Sequence, residues 1–159
     1  MKLQLLQPFI NAADAVLAHA LECRARVAEV AMDNCAYRKQ GVAATVALRG
    51  EVEGRIILDL APETAAKVGA LMSGSDADFR QYAGQAVCEL ANQVIGNAVT
   101  VLNDQGYRFR VLPPQLAGAG ETLACTHDTE ALVMRFDTAS GPVYLNIALR
   151  FIPESMAAD

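Results

Sequence analysis

Two side chains on one stretch have the types and the spacing to do chemistry together: Glu89 and Asn92, in the run from Asp78 to Asp104. A carboxamide is neutral and carries both donor and acceptor, so it can hold a water in one orientation without protonating it. At about 100° per residue, the two side chains leave adjacent turns of a helix on the same side. An E-x-x-N pattern also arises by accident, and a solvated helix face is the plain alternative.

The rest of the stretch shows what must position the pair. Gln81, Gln85, Glu89, Asn92, Gly96, Thr100 and Asn103 fall on one side of a helix over Asp78–Asp104, and Phe79, Ala83, Val87, Leu90, Val94, Ala98 and Val101 on the other. Such a helix is about 40 Å long at about 1.5 Å per residue. Surface helices usually display mixed Lys, Arg and Glu, whereas this polar side offers amides, a hydroxyl, a glycine and one carboxylate, a composition suited to close contact. Gly96 costs about 1 kcal/mol relative to alanine inside a helix. It leaves a gap in the side-chain wall where a partner could come near.

The run CELANQVIGNA, followed by GYRFRVLPPQLAGAG and the terminal segment GPVYLNIALRF, resembles the CheX-type chemotaxis phosphatases of the CheC/CheX/FliY family. The signature of that family is a helix bearing Glu-x-x-Asn closely followed by Gly-Asn-Ala. Upstream, QPFINAADAVL is similar to the family's opening helix, and GRIILDLAPETAAKVGALMSG to its strand-helix segment. The likeness extends over about residues 5 to 152, with several motifs in the same order. CheC and FliY types tend to carry the Glu-x-x-Asn helix twice. Here Glu22 leads to Ala25, Glu63 to Ala66 and Glu130 to Val133, so the chain has one such site, the CheX-like arrangement.

The resemblance implies a protein phosphatase acting on a phosphorylated, CheY-like response regulator. Asn92 would orient the attacking water and Glu89 would pair with a lysine beside the regulator's phosphoaspartate. The chain would need no cofactor of its own, because the Mg²⁺ is supplied by the regulator. Gln85, Gly96, Asn97 and Thr100 would line the same partner-binding face; Asn97 sits at its margin, where a hydrogen bond to a neighbouring element is as good an account of it. A homodimer with sheet edges joined across a two-fold axis is implied as well. An amide that holds a water suits phosphoryl transfer, whose loose transition state calls mainly for positioning and charge stabilisation. Two other readings stay open: a non-catalytic module binding a response regulator or flagellar-switch-like partner through the same helix, and a structural dimeric domain whose polar stripe is ordinary surface.

Composition narrows the remaining classes. With 159 residues and 53% hydrophobic content, the chain is expected to form a single folded domain over 1–159. A net charge of −5 and the absence of a basic run argue against nucleic acid. No apolar stretch reaches the roughly 18 residues of a bilayer span and the N-terminus lacks signal-peptide regions, so no membrane association and a cytoplasmic location are expected. Cys23, Cys35, Cys88 and Cys125 stand singly, and His19 and His127 far apart, so no metal site is expected. Cys88, on the flank of the helix, reads as a half-buried small hydrophobe, and His19 as a boundary residue.

The fold class expected is α+β, helices packed on a mainly antiparallel sheet. Residues 8 to 21 read as a first helix, with Pro8 at its opening position. Arg24 to Ala36 reads as a short strand, and Val42–Leu48 with Arg55–Leu60 as a hairpin turned by RGEVEG. A second helix begins at Ala61-Pro62-Glu63-Thr64 and ends at Ser73-Gly74, and Ser75 to Asp78 bridges to the signature helix. Tyr107 to Leu112 alternates as a strand; Gln115 to Gly120 is a small-residue loop. Strands over Thr122–His127, Glu130–Asp137 and Pro142–Phe151 follow, joined by Asp128-Thr129 and by TASG. The last is the most continuously apolar and belongs in the middle of the sheet.

Overall fold

The computed structural model describes residues 3–21, 25–34, 37–73, 82–117, 122–123 and 130–153. Cys23, Cys35, Cys125, His127, the Ser75–Asp78 bridge, the first residues of the expected signature helix (78–81), and the Asp128-Thr129 turn lie outside the described residues.

Among the described residues, three helices, α1 (Leu3–Ala20), α2 (Pro62–Ser73) and α3 (Ala83–Asp104), accompany nine strands: β1 (Arg26–Asn34), β2 (Tyr37–Arg38), β3 (Val42–Gly50), β4 (Val52–Leu60), β5 (Phe109–Val111), β6 (Gln115–Leu116), β7 (Thr122–Leu123), β8 (Glu130–Thr138) and β9 (Gly141–Phe151). The main sheet runs β1-β8-β9-β4-β3-β5, with β6 also on β3, and every pairing in it is antiparallel. This is the expected α+β class. β9 sits between β8 and β4, where its apolar run can be covered on both faces.

Alternation divides the sheet. Ile56, Leu58 and Leu60 of β4 join Phe136, Leu145 and Ile147 in the core beneath the helices. Arg55, Ile57 and Asp59 point to the other face, and they too are buried. Asp59 is wholly buried because it anchors the β2 segment: its side-chain oxygens accept the Tyr37 hydroxyl at 2.8 Å and the backbone N–H groups of Gln40 and Gly41 at 2.6 and 2.9 Å. Arg55 donates to Asn146 Oδ1 at 2.6 Å across the β4–β9 pairing. The buried Asp59 and Asn146 side chains on this face thus meet hydrogen-bond partners.

Two local expectations are corrected. Helix α1 starts at Leu3, so Pro8 lies inside it. Leu5 and Leu6 join Phe9 in the core and extend the helix upstream, while Gln4, whose carbonyl loses its i+4 partner to the proline, stays on the exposed side. Gln115 and Leu116 belong to a strand, since they pair with Thr45 and Ala44 of β3, and Leu116 covers Gly84 of α3. Of the strand expected over 122–127, Thr122–Leu123 is described, paired with Arg38 and Tyr37 in a separate two-stranded sheet. The β1 region alternates weakly in sequence because of a bulge at Ala28, between Val27 and Glu29. The extra residue keeps Val27, Val30 and Met32 on one face, opposite Phe136, Met134 and Leu132.

Candidate functional site

Helix α3 packs between α1 and α2 and across β3 and β4. Its buried face comprises Ala83, Val87, Leu90, Ala91, Val94, Ile95, Ala98 and Leu102. Contact on both flanks widens this face beyond the single stripe expected from the sequence. Val101, expected inside, is 43% exposed, and Leu102 takes the buried position instead. The described helix spans about 33 Å at about 1.5 Å per residue. It stops at Gln105, whose backbone N–H reaches the carbonyls of Val101 and Leu102, each at 3.1 Å, before Gly106 turns the chain at φ +93.

The opposite side carries Gln85, Glu89, Asn92, Gly96, Thr100 and Asn103, all exposed. Gln81 lies outside the described residues. Among the described residues, Glu89 has no ion-pair partner; Gln93 Nε2 donates to its Oε1 at 3.5 Å, the outer limit of a hydrogen bond. The Asn92 carboxamide makes no hydrogen bond with any described residue. Both groups therefore face outward uncommitted, one turn apart. Thr100 differs: its hydroxyl donates to the Gly96 carbonyl at 3.1 Å and is used within the helix.

Gly96 is open. A Cβ built there meets no described residue within 4 Å, so no contact with one explains a glycine in mid-helix. Gly84 is the contrast, since Leu116 lies against the place its Cβ would take.

Two grooves flank the exposed face. One, of about 680 Å³, lies where the ends of α1 and α2 meet the first half of α3; Leu71, Met72, Tyr82 and Ala86 line it, with Gln85 and Glu89. The other, of about 660 Å³, lies between α1 and the second half of α3, and Asn97 lines it with Gln7, Asn11, Val101 and Tyr107. Asn97 thus stands in a different groove from Glu89 and Gln85. Sequence reading did not find the first groove, because its lining comes from three separate helices. The Leu71-Met72 pair at the end of α2 is the one trace of it in the sequence.

Cys88 is half-buried and packs against the core, as expected of a small hydrophobe, and burial pushes its thiol pKa up, away from the thiolate form. His19 is exposed at the end of α1 and lines the first groove. Among the described residues, no group of three or more His, Cys, Asp or Glu side chains could hold a metal ion, and no helix is long and apolar enough to cross a membrane. What this arrangement can do unaided is orient a water and offer a carboxylate to a cation.

The family model described as chemotaxis phosphatase CheX matches residues 42–137, which include the whole of α3. Several solved structures are similar. A CheC-like superfamily protein from Shewanella sp. PV-4 superposes with a TM-score of 0.81 at 21% identity, covering 94% of this chain and 99% of the other. A chemotaxis protein CheX from Desulfovibrio desulfuricans gives 0.79 at 24% identity, over 92% and 99%. CheX from Borrelia burgdorferi, solved in a complex with CheY, BeF3 and Mg²⁺, gives 0.66 at 30% identity, over 91% and 97%. No curated protein matches the chain.

Proposed function

Because this chain belongs to the CheX family of chemotaxis phosphatases, we propose that it hydrolyses the aspartyl phosphate of a CheY-like response regulator, with 1–159 acting as one unit. The observation that carries this reading is the pairing of an uncommitted carboxylate and an uncommitted carboxamide, Glu89 and Asn92, on the exposed face of a rigidly packed helix. The Borrelia burgdorferi relative, crystallised with CheY, supports the class of partner.

In this reading α3 completes the regulator's active site. The regulator holds the phosphoaspartate and its Mg²⁺; this chain contributes no metal. Asn92 holds a water in line with the phosphorus, and the water oxygen attacks. A new P–O bond forms while the P–O bond to the aspartate breaks, and the carboxylate leaves with the electron pair. The water's proton passes to the phosphate or to solvent, and inorganic phosphate is released. No general base is needed, because a carboxylate is a good leaving group and the barrier falls chiefly through positioning. Glu89 docks rather than deprotonates. Its charge would be repelled by a dianionic phosphoryl group unless the regulator's lysine stood between them. Gln85, Gly96 and Thr100 complete the contact, with Gly96 admitting the partner's backbone and Asn97 touching it only from the margin.

Homodimerisation fits the outer edge of the sheet. β1 ends the sheet and presents Val27, Val30 and Met32, all exposed, along that edge. A second copy of β1 across a two-fold axis would cover this row. A cytoplasmic location follows from the class of partner.

The test is Asn92→Ala. The variant should bind a CheY-type regulator charged with beryllofluoride and Mg²⁺ as tightly as the wild-type chain does, while leaving the phosphoryl group to decay at its spontaneous rate. Retained turnover would remove Asn92 from the water. Wild-type binding without wild-type turnover would make the chain a regulator-binding module.

A further inference from the structure

The first groove shares Glu89 and Gln85 with the exposed face of α3, yet it reaches well beyond that face, down to Leu71 and Met72 at the end of α2. Among its described lining residues Glu89 is the one formally charged group. Large apolar surface stays open beside it: Leu71 is 37% exposed and Tyr82 46%. A hollow whose apolar part is Leu71, Met72, Tyr82 and Ala86, with Ser73, Gln85 and Gln93 around a single carboxylate, is complementary to a segment that brings one cation and, next to it, an apolar side chain.

Resting on the function proposed above, we infer that this groove selects the response regulator: it receives an apolar or aromatic side chain from the regulator segment that flanks the active-site lysine, while that lysine meets Glu89. The two contacts divide the work. Glu89 and Asn92 address groups that every phosphorylated regulator of this class carries, so they cannot distinguish one from another. The hollow formed by Leu71, Met72, Tyr82 and Ala86 extends away from Asn92, which does not line it, so it can read a side chain outside the reacting centre. Binding energy from such a remote contact sets affinity without altering the chemical step.

Two variants test this on the full chain, with a phosphorylated CheY-type regulator and Mg²⁺: Leu71→Asp, which places a charge at the open side of the groove, and Ala86→Phe, which fills it from α3. Neither residue touches the reacting atoms, and melting curves check that each variant folds. Each should raise KM by about ten-fold or more while kcat stays within about two-fold. Replacing the apolar residue beside the regulator's lysine by alanine should raise KM similarly, with little further loss when combined with Leu71→Asp. Unchanged KM in a folded variant would overturn the proposal. So would a fall in kcat alone, which would mean that the groove acts through Glu89 or Asn92, or a change in oligomeric mass alone, which would assign it to a second copy of the chain. A wild-type chain that neither binds nor dephosphorylates the regulator removes the underlying function and this proposal with it. Wild-type turnover with unchanged variants removes the groove alone.

Discussion

If Asn92 holds the attacking water as proposed, the requirement there is geometric, because an amide that neither takes nor gives a proton contributes only by where it holds the water. Asn92→Ala should therefore lower kcat by about 10² or more with KM nearly unchanged, as measured by single-turnover decay of the phosphorylated regulator. Glu89, in the same proposal, acts through charge. A double-mutant cycle between Glu89→Ala and alanine at the regulator's lysine should show a coupling energy of about 1.5 kcal/mol or more; additive losses would take the ion pair away from Glu89. Gly96 separates folding from binding. A Cβ there would meet none of the described residues, so Gly96→Ala should stabilise α3 by about 0.5–1 kcal/mol and raise the melting temperature. The same methyl group should weaken regulator binding. Unchanged affinity would leave the gap as plain solvent-facing helix. The Glu89–Asn92 pair was legible in sequence because one helical period places both. That Asn92 makes no hydrogen bond to a described residue, that Glu89 receives only the 3.5 Å one from Gln93, and that Thr100 is bonded back to Gly96 depends on side-chain conformations that spacing alone does not give.

The elements that hold α3 in place carry a pH dependence of their own. Burial, followed by the hydrogen bond to Asp59 and its negative charge, pushes the Tyr37 phenol well above the ordinary tyrosine range. An acid whose pKa is raised on folding adds stability below its unfolded pKa, and that stability is lost as pH rises past it. The tie between β2 and β4 should accordingly weaken above about pH 10, the unfolded tyrosine value. Tyr37→Phe should cost about 1–2 kcal/mol near neutrality, and the gap from wild type should shrink as pH climbs; denaturation midpoints at several pH values measure both. A constant gap would mean that the hydroxyl does not stabilise the fold through Asp59. Element order was largely readable from periodicity, as with the β3–β4 hairpin and the central β9. Where periodicity failed, tertiary contact had decided. Core contacts of Leu5 and Leu6 carried α1 upstream past Pro8, β3 recruited Gln115 and Leu116, and one bulge at Ala28 blurred the alternation of β1.

For the molecule as a whole, the helix layer buries one face of the sheet, the polar side of α3 stays exposed, and β1 leaves an apolar edge. If that edge joins two copies, Met32→Lys should yield a folded monomer, seen as a halved mass by light scattering, with each chain still active because its Glu89–Asn92 site is its own. An unchanged mass would place the interface elsewhere or leave the chain monomeric. The sequence carries no direct sign of this assembly, since pairing between copies depends on which strand ends the sheet, and β1 does so only after β8 has paired with its inner side. The central claim, that this chain is a catalyst and not only a binder, turns on turnover. The measurement is the decay of a phosphorylated CheY-type regulator with Mg²⁺, with and without a substoichiometric amount of the wild-type chain. Release of many phosphates per chain, faster than spontaneous decay, is the result expected; decay unchanged although the regulator binds would contradict the phosphatase assignment.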